Sequence, residues 1–332
     1  MYSTNEFLAN VYSNTVNTAE KLGDCPLERL KTLIEEKRSR LREILALDEL
    51  EGMQHDVKIA YDSCIKREFY RIDKYNMTVL PGLCGPLYGV VPETPNGLAV
   101  VYCHGHGRGV DDTLNIGSVI DPYHKTLPLY LAKMGYTVLT MEYMGFGHMK
   151  FDGENCPSDN QCTTNHLLLS LGGLSLLGVR VYQTQKVIDF AKNILNFKRL
   201  AICGVSGGGM VTTMTSALSD DADITGAGIL CYTNTFKKSI MDMPHCICNF
   251  IPGMLTVGEE PDIIALSAPR PLLLSAGRDD EIFPIKAAED AAKYVSEVYG
   301  RLGISDKVTL EVFDGEHEIS EKYLANWLEK LF

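Results

Sequence analysis

The feature that most restricts this chain is a pentapeptide at the end of an apolar run. Leu200-Ala201-Ile202-Cys203 leads into Gly204-Val205-Ser206-Gly207-Gly208, and small and apolar residues able to form a helix follow. A strand that reverses at one residue and enters a helix needs glycines where any side chain would meet neighbouring backbone, here at 204 and 208. Such a turn holds the hydroxyl of Ser206 in the open with a helix N-terminus behind it. By itself this is only a serine in a glycine-rich strand-to-helix turn, and the rest of the chain has to supply partners.

A serine hydroxyl is a weak nucleophile at neutral pH and needs a histidine to take its proton and an acid to orient that histidine. Downstream, Pro271-Leu272-Leu273-Leu274-Ser275-Ala276 reads as a strand that runs into the acidic loop Gly277-Arg278-Asp279-Asp280-Glu281, closed by Pro284. Further on, the alternating run 308–313 ends in Asp314-Gly315-Glu316-His317. Ser206, Asp280 and His317 thus follow one another, each in a loop after its own strand, as a candidate nucleophile, orienting acid and general base in the order that resembles α/β-hydrolases. Asp279 competes with Asp280 for the role of acid. Glu316 and Glu318 flank the histidine in sequence and read as solvated loop charges.

Acyl transfer also needs backbone N–H groups aimed where negative charge grows on the carbonyl oxygen. Gly207, directly after the serine, is expected to supply one. The buried strand 98–103 is followed by His104-Gly105-His106-Gly107-Arg108-Gly109, and His106 is the expected second donor.

These motifs, His-Gly-x-Gly, Gly-x-Ser-x-Gly, Gly277-x-x-Asp280-x-x-x-Pro284 and the late His317, resemble the α/β-hydrolase superfamily. Two stretches are similar to its dienelactone-hydrolase and acetyl xylan esterase-like branch: Ala268-Pro269-Arg270-Pro271-Leu272, and the Leu-Leu-Gly-x-Arg-Val pattern within residues 174–190. The resemblance covers about residues 55–332. It implies a serine hydrolase acting on carboxylic esters, with acetylated sugars or small esters as substrates. Dienelactone hydrolases proper use cysteine as nucleophile, so Ser206 moves the reading toward esterases. An oligopeptidase-like serine peptidase is the alternative within hydrolases, though the chain lacks room for a large gating domain. A non-catalytic hydrolase-fold binding protein is the alternative outside them, and such proteins usually lack one member of the constellation.

The implied architecture is an α/β-hydrolase fold: a mostly parallel sheet with helices on both faces, an N-terminal helical extension (1–52) and a catalytic domain (53–332) with a small cap insertion (233–265). Periodicity predicts helices over 5–20 and 26–47, antiparallel strands over 57–91 with turns at Tyr75-Asn76 and Pro81-Gly82, and one long helix over 166–194. Strands that read as continuous apolar runs between helices imply a buried parallel sheet. The N-terminal helices fit either a cover over the site or a contact between two copies of the chain. Tyr143 and Phe146, after the strand 137–143, and Met241 and Phe250, in the insertion, are candidate pocket residues.

At 332 residues with 45% apolar content, the chain can fill a large core. A net charge of −12 without a long basic run argues against nucleic acid and anionic membranes as partners. Ten cysteines without regular spacing, several in predicted strands, read as reduced buried thiols. With a polar N-terminus that is no signal peptide, they point to the cytoplasm. Neither His104-x-His106 nor His245-Cys246-Ile247-Cys248 has an evident second ligand pair, so no metal and no other cofactor is expected.

Overall fold

The structure is a computed structural model and describes residues 4–53, 56–116, 123–150, 161–220, 224–233, 235–241 and 245–332. Helices α1 (Asn5–Thr18), α2 (Leu27–Ile44) and α3 (Leu47–Gly52) come first, then strands β1 (Lys58–Lys66), β2 (Tyr70–Leu80) and β3 (Leu83–Pro92). Helix and strand then alternate: β4 (Ala99–Cys103), α4 (Val110–Thr113), α5 (Leu127–Lys133), β5 (Thr137–Met141), α6 (Cys162–Leu171), α7 (Leu176–Asp189), β6 (Leu200–Val205), α8 (Gly207–Leu218) and β7 (Gly226–Leu230). The insertion carries α9 (Phe236–Met241), α10 (Met254–Val257) and α11 (Glu260–Ala265). The chain ends in β8 (Leu272–Gly277), α12 (Ile285–Arg301), β9 (Val308–Phe313) and α13 (Glu321–Leu331).

The strands form one sheet in the order β1-β2-β3-β5-β4-β6-β7-β8-β9. The pairs from β1 to β5 are antiparallel and those from β5 to β9 parallel. Every residue of β4 to β8 is buried, which matches their unbroken apolar sequences. Side chains of a strand alternate between faces. Ile202 accordingly joins Val179, Met214 and Val295 of α7, α8 and α12 in one core, while Ala201 and Cys203 join Leu131 and Leu328 of α5 and α13 in the other.

Strand order places the site. β4 lies between β5 and β6, so successive crossovers leave it in opposite directions and open a crevice at its carboxyl end. The register pairs Cys103 with Gly204. The loop after β4 and the turn after β6 therefore leave the sheet side by side.

Three expectations are corrected. Tyr75 and Asn76 are not a turn: they sit mid-strand in β2, opposite Tyr61 and Ala60 of β1, and the reversal falls at residues 67–69, where Arg67 N–H donates to Tyr70 O at 2.9 Å. Cross-strand packing of Tyr75 edge-on against Tyr61, 5.7 Å between ring centres, overrides the local turn signal. Residues 166–194 are not one helix either. α6 and α7 meet at 97°, because Gly173 is left-handed (φ +77°) and the Ser175 side chain caps α7 by accepting from Gly178 N–H at 2.9 Å. The predicted 26–47 helix stops at Ile44, and Leu47 opens a separate short helix after left-handed Ala46.

The N-terminal helices do not stand apart from the rest. α2 buries Leu30, Leu33, Ile34 and Leu41 in the same core as α7 and α8. Lys37 donates to Val257 O, Arg38 to Leu266 O and Ala268 O, and Arg301 of α12 to Leu22 O and Cys25 O. The extension thus braces the insertion and the α12 side of the sheet. No single helix among the described residues is long and apolar enough to cross a membrane. The α6–α7 pair passes that test only jointly, across its bend.

Candidate active site

Ser206 has φ 55° and ψ −122°, a conformation that costs a side-chain-bearing residue about 1–3 kcal/mol. The strain is held by close backbone approach on both sides. A Cβ at Gly208 would lie 2.0 Å from Cys103 O, so only glycine lets the start of α8 pass β4. Ser206 N–H donates to Leu230 O at 3.0 Å, and its carbonyl accepts the Met210 N–H, so the turn is pinned to β7 and to α8.

The structure brings His317 and Asp280 together: imidazole Nδ1 lies 2.8 Å from Asp280 Oδ2. Asp280 is 4% exposed. Its other oxygen, Oδ1, accepts the backbone N–H groups of Ile282 and Phe283, both at 2.8 Å. Adjacent Asp279 is exposed. Of the two acids that spacing leaves open, Asp280 is the one that is buried and that meets both His317 and these two N–H donors. Glu318 pairs instead with Lys125 at 2.7 Å on the surface.

The imidazole of His317 is also clamped between two rings. Tyr123 stacks on it at 5.5 Å and 23°, and Phe283 at 5.6 Å and 20°. Neither ring carried a sequence signal. Tyr123 does more: its hydroxyl donates to His106 O at 2.6 Å, and its carbonyl accepts the Ile319 N–H. One residue thereby ties the His317 loop to the loop after β4.

That second loop passes directly over the turn. A Cβ on Gly105 would stand 3.2 Å from the Ser206 Cβ, and one on Gly207 would stand 2.6 Å from His106 Nδ1. Gly207 and His106, the expected N–H donors, are thus packed against each other. His104 plays a different part. Its Nδ1 faces Gly105 O at 2.9 Å, and its Nε2 accepts the Tyr143 N–H at 3.1 Å. Full burial lowers its pKa to about 3, so it is neutral and locks the loop. Glu142 Oε1 lies 3.6 Å from that Nε2, but the two are not an ion pair while the imidazole is neutral and already accepting.

The pocket expectations fare differently. Tyr143 and Phe146 are 3% and 2% exposed. The Tyr143 hydroxyl is 2.7 Å from Thr184 Oγ1, and Phe146 meets the rings of His104 and His106 edge-on at 5.2 and 5.4 Å. With His104, His106, Arg180, Gly207 and Val211 they close a niche that has no room for a water molecule. They support the loop rather than line open space. Met241 is 71% exposed. Phe250 lines a groove of about 370 Å³ against Tyr12 and Thr15 of α1, with none of Ser206, Asp280 or His317 in its wall.

Glu142 is the most perturbed acid near the site. Burial raises its pKa to about 8, and its Oε1 accepts the Val110 N–H at 3.0 Å. Gly109 (φ +111°) cradles the carboxyl so closely that a Cβ there would be 2.4 Å from Oε1. A folded-state pKa above the unfolded 4.5 means that the native state retains a proton the unfolded chain loses. Stability from this group is complete below about pH 4.5 and declines as pH rises to about 8, by a few kcal/mol in total. Glu142→Gln, which mimics the neutral acid, should flatten that decline. Denaturant midpoints at pH 5, 7 and 9 check it, and parallel slopes for both proteins would refute a buried neutral carboxyl.

The cysteine clusters are the last feature of the region. Cys231, Asp280 and His317 lie together, with Cys231 Sγ 3.0 Å from Glu318 O and its thiol pushed up to about 12 by burial, so it packs as a neutral group beside the acid. His106, Cys162, Cys246 and Cys248 form a second group, with all four ligand atoms within 4.8 Å of one another.

A doubly wound sheet with its turn-borne serine, buried acid and clamped histidine at the carboxyl ends of the parallel strands defines an α/β-hydrolase fold. The Abhydrolase family model matches residues 28–299, and the chain belongs to that family. It is 26% identical over 236 residues to the Bacillus subtilis (strain 168) protein named "Putative hydrolase YtaP", a match that spans 67% of this chain and 74% of that one. Among solved structures it resembles "a putative acetyl xylan esterase" from Bacteroides fragilis NCTC 9343, with a TM-score of 0.74 and 18% identity over 98% of this chain and 95% of that one. It also resembles methylesterase BT1017, with a TM-score of 0.71 and 18% identity over 96% of this chain and 66% of that one.

Proposed function

We propose that the protein hydrolyses carboxylic esters through an acyl-enzyme on Ser206. The observation that carries this is the Asp280–His317 pair, its acid buried and its imidazole clamped between two rings, at the same sheet end as a strained serine. His317 takes the proton of Ser206 as its hydroxyl attacks the ester carbonyl. Asp280 holds the proton on Nδ1 and stabilises the imidazolium. The N–H groups of Gly207 and His106 receive the oxyanion, and His317 then protonates the leaving alcohol. Water repeats the cycle on the acyl-enzyme, and every step uses groups of the chain itself.

For the substrate, the reading is an ester of a short acyl or alkyl group. The solved relatives named for acetyl xylan and methyl esters are in keeping with small ester groups on carbohydrate. Hydrolysis of p-nitrophenyl esters from acetyl to octanoyl tests the reading. Acetate should exceed octanoate in kcat/KM by at least about tenfold, since each excluded methylene is worth roughly 1 kcal/mol or more. A preference for octanoyl would overturn the short acyl site, and no turnover of any ester would overturn the esterase.

A further inference from the structure

Four side chains beside the site are left unused by that chemistry. His106 Nε2 lies 3.2 Å from Cys248 Sγ and 3.8 Å from Cys162 Sγ, and Cys246 Sγ completes a set in which every ligand atom is within 4.8 Å of every other. We infer that His106, Cys162, Cys246 and Cys248 bind one zinc ion.

Zinc favours four tetrahedral N and S ligands, with Zn–S near 2.3 Å and Zn–N near 2.0–2.1 Å. A regular tetrahedron with those bonds places nitrogen about 3.6 Å from sulfur and sulfurs about 3.8 Å apart. The observed 3.2 and 3.8 Å bracket the first value, so an ion fits with small shifts of flexible side chains. Cys162 and Cys248 are buried, and His106 and Cys246 half-buried, so the set is shielded.

The surroundings fit a charged centre. Three thiols lose their protons on binding, so Zn²⁺ with three thiolates and a neutral imidazole carries a net charge of −1. Arg180 is buried at 4% exposure, and among the described residues no carboxylate lies within ion-pair distance of it. Its NH2 group points instead at Cys162 Sγ, at 3.3 Å, and at Met144 O, at 2.9 Å. A guanidinium in the interior needs an anion, and the thiolate cluster is the one it faces.

All four positions are taken by the protein, which marks a structural rather than a catalytic ion. The ligands come from the loop after β4, from the first residue of α6 and from the insertion, where Cys246 precedes and Cys248 lies within a single helical turn at Ile247–Asn249. One ion would staple these three segments together and hold the His106 ring by Nε2 while its other edge packs on Gly207. The metal assignment stands on the cluster alone, and only its bracing of the oxyanion loop rests on the esterase reading.

The test uses the full chain, purified under reducing conditions with zinc supplied and then freed of excess metal. Elemental analysis should find about one zinc per chain in the wild type and in Ser206→Ala, and a loss of most of it in Cys246→Ser with Cys248→Ser. Exchange with Co²⁺ should give the thiolate-to-metal charge-transfer band and the intense visible bands of a tetrahedral site. Zinc retained in Ser206→Ala keeps this inference separate from the fate of the esterase. Metal-free wild-type protein would overturn it. So would a disulfide among the three cysteines in the non-reduced protein, or unchanged zinc in the double serine variant. If the double variant does not fold, wild-type stoichiometry and the cobalt spectrum decide alone.

Discussion

Ser206→Ala should lower ester turnover by on the order of 10⁵-fold or more, the scale of removing the nucleophile from a working triad. The same change should abolish covalent labelling by a fluorophosphonate. The fold should survive, because what pins the turn is backbone: Ser206 N–H to Leu230 O, and the close passage of Gly208 beneath Cys103 O. Alanine inherits the strained φ of 55°, so the unfolding midpoint should hardly move. That separates lost chemistry from lost structure. Labelling that persists in the variant, at full stability, would remove Ser206 from the mechanism and leave the buried acid and histidine without a nucleophile.

What was legible in the sequence was local or ordered along the chain. The elbow could be read because strand, turn and helix are contiguous in residues 200–218 and glycine is required where backbone meets backbone. The histidine and the acid could be picked out as candidates because each lies in the loop after its own strand, Asp280 after the apolar β8 and His317 after the alternating β9. What distinguished Asp280 from Asp279 was not legible, since it depends on which carboxylate turns inward to the N–H groups of Ile282 and Phe283. The rings that clamp His317 come from residues 123 and 283, so distant that no periodicity links them. The four-residue cysteine and histidine cluster is similar: only Cys246 and Cys248 are neighbours, and the other ligands arrive singly from elsewhere in the chain. Pocket residues read least well. Apolar side chains after a strand or in an insertion fill cores as readily as they line cavities, and Tyr143 and Phe146 fill one.

Asp280→Asn should cost about 10⁴-fold in kcat, and the reason lies in the two bonds made by Oδ1. In the wild type that oxygen accepts two backbone N–H groups, and Oδ2 accepts the proton on His317 Nδ1. An asparagine at 280 keeps the first pair only by turning its carbonyl oxygen toward Ile282 and Phe283. Its NH₂ group then faces His317 Nδ1 as a donor. The ring responds by carrying its proton on Nε2, the atom that must accept the proton of Ser206, so the base is blocked by its own tautomer. Because the buried N–H groups stay satisfied, the variant should unfold near the wild-type midpoint. Asp279→Asn, at an exposed carboxyl, should leave kcat within roughly twofold. Steady-state rates of the two variants on p-nitrophenyl acetate decide the matter. If the change at 279 were the more damaging one, the orienting acid would be its carboxylate, and the geometry around Oδ1 would have been misread as catalytic.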